Sequence, residues 1–419
     1  MPIYIAICLG GLGTYVSDLL LREFSESSDL QILQVDDEVN DETQGHAGCG
    51  KIEVETTVDP KLLWSKSRFV MTWLVKLAVV ENVKDVEDIH AALTAVGATA
   101  ITAAVTVLRS HAAIDWSSKE FTSEIQRPMA SPLHRSNESS PILYRASCIR
   151  SGSSHKFTSL DVSRTVGDCV GKIFPPSSWK ASMKDYEVRI MSYVLNEKCW
   201  CGISLSNVDQ QRNKGNLDSE FRHPHTPPDS TAVVGVRPST ASLLISLCEI
   251  TFGEIVCDPT CGSGTLLIEG KYEWGDKVQF LGGDIDVDLN QMRMSDNNEV
   301  QDCGLSLWDC GRLPVRDRVV DVFVCDPPFG VGCGSAKDAV TLLPKLLREC
   351  RRCAVEDGRM VMLLAHRVKE LRRVTAPGAV GKWNTGWKIV NERRINLGGM
   401  LAYIIELVVT VKIENDGDE

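Results

Sequence analysis

The 419-residue sequence predicts an α/β protein, with a Rossmann-like doubly wound sheet in its C-terminal part and a smaller α+β region before it. Three observations carry this expectation. After residue 250, short apolar runs of strand type alternate with helical stretches. The first three of them end at or beside an aspartate, which is how a parallel sheet with ligands at its strand ends reads. Upstream, between residues 142 and 205, runs of period two flank a single stretch of helical period.

Taken in order, Ile3–Leu9 is a strand, and Gly10, Gly11, Leu12 and Gly13 form its turn into a helix over Ser17–Phe24. That glycine turn superficially resembles a nucleotide-binding loop. Lys51–Val58 alternates as a strand, while Val86–Val96 and Thr99–Leu108 fit either helix or strand. Ser117–Pro141 is rich in Ser, Pro and Arg and reads as a linker or loop. Ile142–Ile149 is a strand, Leu160–Phe174 a helix with Val162, Val166, Val170 and Ile173 on one face, and Tyr186–Leu195 and Cys201–Leu205 are strands. Asp209–Thr231 is polar with three prolines and marks the clearest domain boundary. The expected division is 1–116, 117–141 (linker), 142–208, 209–231 (linker), 232–412 and an acidic tail at 413–419.

Hydrophobic residues make up 43% and charged residues 24% of the chain, which excludes full-length disorder, collagen and coiled coil. The net charge of −11 argues against a chain that coats nucleic acid nonspecifically, while leaving room for a local basic face. Such a face is present in the sequence. Between residues 143 and 205 nine bases stand against five acids, and Arg150, Lys156, Arg164 and Lys172 are its candidate RNA-binding residues. The longest apolar runs, Met71–Val80 and Ala91–Leu108, are interrupted or built of small residues, so no membrane span is expected. The N-terminal segment lacks the basic start of a signal peptide. Fifteen cysteines scattered through apolar segments point to a reducing compartment, cytosol or nucleus. Cys350 and Cys353 form a lone CxxC, and Cys199 and Cys201 are one residue apart; neither has the four-ligand spacing of a zinc site, and no metal is expected.

The chemistry concentrates after residue 250. Gly253–Cys257 is a strand running into Asp258–Thr265 (DPTCGSGT), with Leu266–Glu269 helical behind it. Gly262 and Gly264 permit a tight turn, and the helix N-terminus offers free N–H groups. An acid at the front of the loop would repel a pyrophosphate and attract the sulfonium and amino group of S-adenosylmethionine. Val278–Gly283 is a strand followed by Asp284, placed to bond ribose hydroxyls. Asp309, after Trp308, is placed to accept from an adenine amino group, with Trp308 packing nearby. The candidate cofactor-binding residues within this stretch are Asp258, Thr260, Gly262, Gly264, Thr265, Asp284, Trp308 and Asp309.

Asp321–Cys325 is a further strand, and Asp326, Pro327, Pro328 and Phe329 are the candidate catalytic residues. The lone pair of a nucleobase amine is delocalised into the ring. A carboxylate and a backbone carbonyl that accept its two N–H bonds localise that pair and stabilise the positive charge that builds as a methyl group arrives. Prolines fix the backbone that carries such a carbonyl, and Phe329 is placed to stack on the base. Gly330, Gly332 and Gly334 read as a mobile loop.

In Gly235–Thr240 (GVRPST), Asp258–Thr265, Trp308 and Asp309 followed by Leu313 and Pro314, Asp326–Gly330 (DPPFG) and Asn396–Gly399 (NLGG), the sequence resembles the THUMP-domain-containing RNA guanosine N2-methyltransferases. The resemblance covers nearly all of 233–412. Tyr144–Ser151, Val166–Phe174 and Tyr186–Leu205 more weakly resemble the THUMP fold. The resemblance implies a class I methyltransferase domain, a THUMP module that binds the 3′ CCA end of tRNA, a ferredoxin-like N-terminal element over 1–116, and Arg237 and Thr240 near the methionine end of the cofactor. It implies S-adenosylmethionine as methyl donor, methyl transfer to N2 of a guanosine in tRNA or other structured RNA, a cytoplasmic or also nuclear location, and a small zinc-binding activator subunit. For that subunit, Val319–Val324 and Met360–Leu364 are expected to leave an open sheet edge. The resemblance departs after Phe329, where relatives often carry a basic residue and this chain has Val331. Alternative readings are a spliceosomal small nuclear RNA guanosine N2-methyltransferase, an adenine N6-methyltransferase using a similar Asp-Pro-Pro-Phe, and an inactive RNA-binding scaffold.

Overall fold

A computed structural model describes residues 1–27, 29–37, 49–112, 140–151, 155–184, 186–205, 236–262, 264–285, 303–328, 336–364, 368–376, 385–397 and 400–410. Both expected linkers, apart from residues 140 and 141 at the end of the first, and the acidic tail lie outside the described residues. The chain divides into two compact units, Met1–Glu220 with Asn396–Met400, and Phe221–Ile395 with Leu401–Glu419.

The first unit begins with β1 (Ile3–Cys8), α1 (Gly13–Glu23), β2 (Gln31–Asp36), β3 (Gly50–Glu55), α2 (Pro60–Lys66) and β4 (Thr72–Val80). These strands lie in the order β2-β3-β1-β4, all antiparallel, which is a ferredoxin-like βαββαβ arrangement. Residues 4–8 of β1 are all buried, as suits a strand covered on both faces. The glycine turn before α1 is filled from within. Asp37 accepts the N–H groups of Gly11 at 2.7 Å and Gly13 at 2.6 Å, so an internal carboxylate occupies the place a phosphate would take. The Met71–Val80 run, too interrupted for a bilayer span, is β4, which joins this element to the next.

The two segments that fitted either element form one helix with a break, α3 (Val86–Ala112). Gly97 inside it is non-helical, at φ 72° and ψ 175°. Ile89, Leu93, Ile101, Ala104, Val105 and Leu108 are buried, while the Thr and most other Ala positions face outward. This stripe decides for helix, because period 3.6 and the Ala content outweigh the β-branched residues. Val86–Leu108 is by length and composition apolar enough to cross a membrane. Its large residues instead pack on β4 and on the helix α4 (Ser159–Ile173). Hence α3 packs both on the last strand of the ferredoxin-like element and on the helix of the module that follows.

That module contains β5 (Ile142–Ser151), α4, β6 (Trp179–Ala181), β7 (Val188–Leu195) and β8 (Lys198–Ser204). β5 is parallel to β6 and β7, and β8 turns back antiparallel between β7 and β4, giving one eight-stranded sheet. Thr158 and Asp161 cap α4 reciprocally: Asp161 N–H donates to Thr158 Oγ1 and Thr158 N–H to the Asp161 carboxylate.

The second unit contains α5 (Pro238–Leu247), β9 (Ile255–Asp258), α6 (Thr265–Trp274), β10 (Gln279–Asp284), β11 (Gly304–Leu307), β12 (Val320–Cys325), α7 (Ala336–Cys353), β13 (Ala354–Leu364), α8 (Val368–Val374), β14 (Trp387–Leu397) and β15 (Met400–Val409). The sheet order is β11-β10-β9-β12-β13-β15-β14, with β11 to β13 parallel and β15 antiparallel to β13. The strand order reverses between β9 and β12, which is where open α/β sheets bind ligands. The expected open edge is corrected here. Val319–Val324 and Met360–Leu364 fall in β12 and β13, both interior, and they are apolar because they are paired on both sides and covered on both faces. The outer strands are β11 and β14. The CxxC cysteines, Cys350 and Cys353, are fully buried in the core beside Phe323, Leu346 and Met362.

Candidate cofactor and catalytic site

Four parallel strands bring four aspartates to one edge of the second unit. Asp258 closes β9, Asp284 closes β10, Asp309 follows β11 by two residues, and Asp326 follows β12 directly. The loop after β9 turns through Gly262 at φ 48° and Gly264 at φ 78°, the left-handed region that favours glycine, and Gly264 caps α6. A Cβ at Gly262 would meet nothing within 4 Å, so its left-handed φ and the open space beside it are what the glycine supplies.

The loop is tied to its neighbours. Gly262 N–H donates to the Asp284 carboxylate at 3.0 Å, and Cys261 N–H to the Gly283 carbonyl at 3.0 Å. The Trp308 indole N–H donates to the Pro259 carbonyl at 3.0 Å. The Trp308 ring lies against Gly283, where a Cβ would sit 2.6 Å from it and 2.2 Å from the Ser306 carbonyl oxygen. Trp308 is thus a buried strut for the loop, not an open stacking face. The Asp309 carboxylate accepts the Gly311 N–H at 2.8 Å and its carbonyl accepts the Arg312 N–H at 2.8 Å, closing a turn at the end of β11.

Asp258 is almost fully buried and accepts the Thr260 N–H at 3.0 Å. Desolvation pushes its carboxyl well above the usual carboxylate range. The Thr260 bond opposes this, and the charges of Asp284 and Asp326 add to it. Burial pushes Asp326 up to about 7. Two desolvated carboxyls, with the Asp284 charge beside them, call for a cation at this edge. The Thr260 hydroxyl is buried with no partner among the described residues, a second opening for a bound polar group. Donor set, orphan hydroxyl and open glycine cradle together fit a cationic adenosyl sulfonium.

Arg237 is the extended residue before α5, Pro238 opens that helix, and Thr240 is buried in its first turn. Thr265 is the first residue of α6. Pro327 is buried and Pro328 exposed. Phe329, Gly235 and the glycines at 330, 332 and 334 lie outside the described residues. Sequence reasoning passed over Ile285. It follows Asp284 and is 72% exposed, beside Leu307 of β11 at 63%, an apolar surface next to the acid expected at the ribose. An apolar residue directly after a strand-end acid was the available signal.

Of the four expected RNA contacts, Arg164 and Lys172 lie on α4, Lys156 just before it and Arg150 at the end of β5. Arg150, at the end of β5, donates to His155 Nδ1 at 3.1 Å, and His155 Nε2 bonds the Asn196 carbonyl. Exposed Lys156 precedes α4, exposed Arg164 lies in its first half, and exposed Lys172 lies in its last turn beside His90 at 3.4 Å. At 1.5 Å per residue the helix separates its ends by about 20 Å.

Among the described residues no group of three or more His, Cys, Asp or Glu is arranged to hold a metal. The fourteen described cysteines are free thiols.

Residues 231–400 match the RMKL-like methyltransferase domain family, and residues 137–204 match the THUMP domain. The chain is 28% identical over 294 residues to the human tRNA (guanine(6)-N(2))-methyltransferase THUMP3, covering 66% of this chain and 54% of that protein. It is 28% identical over 232 residues to the human U6 snRNA (guanine-N(2))-methyltransferase THUMPD2, covering 54% of this chain and 41% of that protein. The chain therefore spans about half the length of the curated relatives it matches. Among solved structures, TrmN from Thermus thermophilus shares the fold at a TM-score of 0.64 and 19% identity, covering 98% of this chain and 100% of that one. With the strand order and the loop after β9, these likenesses give the two parts their family: residues 137–204 are a THUMP domain, and residues 231–400 are an RMKL-like, Rossmann-type methyltransferase domain.

Proposed function

We propose that this chain is an S-adenosylmethionine-dependent RNA methyltransferase that moves a methyl group to the exocyclic N2 of a guanosine in tRNA. The observation that carries the reading is Asp326. It is a desolvated carboxyl at the carboxyl end of β12, on the same sheet edge as the Asp258–Asp284 loop, in a chain that also carries a THUMP domain.

The cofactor supplies an electrophilic methyl on a sulfonium, whose C–S electron pair stays on sulfur when the methyl leaves. The chain's residues do the rest. Asp258 and the first turns of α5 and α6 hold the cationic methionine end, and Asp284 takes the ribose. Ile285 would offer an apolar side to the adenine, and Asp309 an acceptor for its amino group. Asp326 and the Pro327 carbonyl accept the two N–H bonds of the guanine amine. As the N–C bond forms, the nitrogen becomes cationic, and the Asp326 carboxylate stabilises that charge more than it does the neutral ground state. A carboxyl titrating near 7 is also matched to accept the proton the product amine must shed.

The test is nucleoside analysis of RNA treated with the protein and labelled cofactor. N2-methylguanosine in tRNA is the expected product. N6-methyladenosine would overturn the choice of base, and transfer to U6 small nuclear RNA alone would support the second reading, which the likeness to THUMPD2 favours. Undetectable cofactor affinity would support the scaffold reading. The free cysteines accord with a reducing compartment, cytoplasm or nucleus. The zinc-binding activator implied by the resemblance is part of the proposal. If it adds a strand, it joins at β11 or β14, and β11 presents the exposed Leu307. Co-expression should raise solubility and activity; full activity of the purified chain alone would contradict it.

A further inference from the structure

We infer that the methyltransferase unit carries its own RNA-phosphate ridge, formed by the segment after Asp309 strapped along the second half of α7, separate from the basic residues of the THUMP domain. The inference rests on the RNA-methyltransferase reading and names a surface that the sequence alone does not reveal.

The strap is anchored along its length. Near its start Gly311 lies beside Lys345, within 3.6 Å of that side chain for a Cβ built at the glycine. Farther on, Leu313 N–H donates to Glu349 Oε2 at 3.0 Å. Arg352 donates through Nη2 to the Leu313 carbonyl at 2.9 Å and through Nη1 to the Val315 carbonyl at 2.8 Å. At its end the Arg318 N–H donates to the Arg352 carbonyl at 3.1 Å. The strap therefore runs beside the helix from Lys345 to Cys353, with its side chains alternating toward and away from it.

Segments 311–318 and 345–353 hold seven bases and two acids, in a chain whose net charge is −11. Both acids are taken up by one base, since Arg352 pairs with Glu349 at 2.8 Å and Asp317 at 2.6 Å. Arg318 pairs with Glu356 at 3.8 Å, and Arg351, in the last turn, also favours the helix dipole. Arg312, Arg316 and Lys345 are exposed, and none of the ion pairs among the described residues involves them. Two exposed cations on an anchored strap and one on the helix beside it, none of them in an ion pair among the described residues, are what a polyanion recognises.

Position favours RNA as that polyanion. The strap leaves the sheet at Asp309, on the edge where β12 delivers Asp326. A strand whose base enters the site at Asp326 has its backbone at that edge and can continue along the ridge. Contacts of this kind fix register and orientation without reading sequence.

The test is binding of a tRNA transcript by the full chain across a salt series. The variants are Arg312→Ala/Arg316→Ala/Lys345→Ala and its charge-keeping counterpart Arg312→Lys/Arg316→Lys/Lys345→Arg. Each phosphate contact contributes about 0.7 (single strand) to about 0.9 (double helix) to the slope of log K against log salt. The alanine variant should lower the slope by about 2 to 3, raise the KM for RNA, and leave kcat at saturating RNA and the cofactor affinity unchanged. The charge-keeping variant should retain the wild-type slope. A wild type that binds and methylates RNA while the alanine variant does so with unchanged slope and KM overturns the ridge alone. A wild type that binds no RNA overturns the ridge and the proposed function together. Loss of binding to phosphatidylserine vesicles, with RNA binding intact, would assign the ridge to a membrane surface and overturn it as an RNA contact.

Discussion

Gly262 donates its backbone N–H to the carboxylate of Asp284 at 3.0 Å, so the glycine loop after β9 is held by the acid at the end of the neighbouring strand. The residue proposed to take the ribose also fixes the loop proposed to take the methionine end. On that proposal, loop order and cofactor affinity would be coupled through one carboxylate.

Asp284→Ala should lose both the loop bond and the ribose bonds. Charge-assisted hydrogen bonds are worth about 1.5–3 kcal/mol, so S-adenosylmethionine affinity should fall roughly tenfold to a hundredfold by calorimetry. Asp284→Asn keeps an acceptor for Gly262 and should lose less. Unchanged affinity in a folded Ala variant would remove Asp284 from the site.

Asp326→Ala should reduce turnover about a hundredfold to a thousandfold while keeping cofactor affinity, as loss of one preorganised interaction does. Asp326→Asn should retain part of the activity, because its amide oxygen still accepts a hydrogen bond. Single-turnover transfer of labelled methyl to a verified RNA measures both, and near-normal turnover of the Ala variant would reopen the scaffold reading.

The raised Asp326 also makes a stability prediction. Burial lifts this carboxyl from 3.8 to about 7, so the folded state favours the protonated form. The stability this contributes is fully present below pH 3.8 and is lost as pH rises through about 7. The Tm advantage of Asp326→Asn over the wild type should therefore grow across that window and level off above it. A Tm difference that is flat with pH would show that Asp326 is not desolvated.

Gly283→Ala tests the Trp308 strut. The added methyl would lie 2.2 Å from a carbonyl oxygen and 2.6 Å from the indole, neither at the end of a flexible chain. Overpacking of this kind costs about 1–3 kcal/mol, visible as a lower Tm with cofactor affinity falling in parallel. A Tm equal to wild type would show that Trp308 has room to move.

Arg359→Ala tests a staple far from the chemistry. Its guanidinium pairs with Glu254 at 2.7 Å and caps α5 through the Cys248 carbonyl at 2.7 Å and the Glu249 carbonyl at 2.8 Å. Its removal should cost about 2–3 kcal/mol in urea denaturation and leave kcat unchanged. Arg359→Lys should recover only part, because an ammonium cannot form the planar fork.

By itself the sequence determined the local units. Strand runs ending in Asp258, Asp284 and Asp326, the glycine turn at 262–264 and the helical face of Val162, Val166 and Val170 are each set by residues within a few positions of one another, where period, charge and backbone preference act directly. Tertiary structure alone decided what depends on partners distant in sequence. The helix over Val86–Ala112 needed α4 and β4 to select its buried stripe. Val319–Val324 and Met360–Leu364 read as possible edges until pairing on both sides placed them inside the sheet, since an apolar run carries no record of its neighbours. The glycines at 10–13 could pass for a phosphate loop until Asp37, twenty-four residues beyond Gly13, filled it. Gly311 and Lys345 lie thirty-four residues apart in the chain and are neighbours because Glu349 and Arg352 hold one segment along the other. Such contacts arise from chain return and packing, and no window along the sequence contains both members.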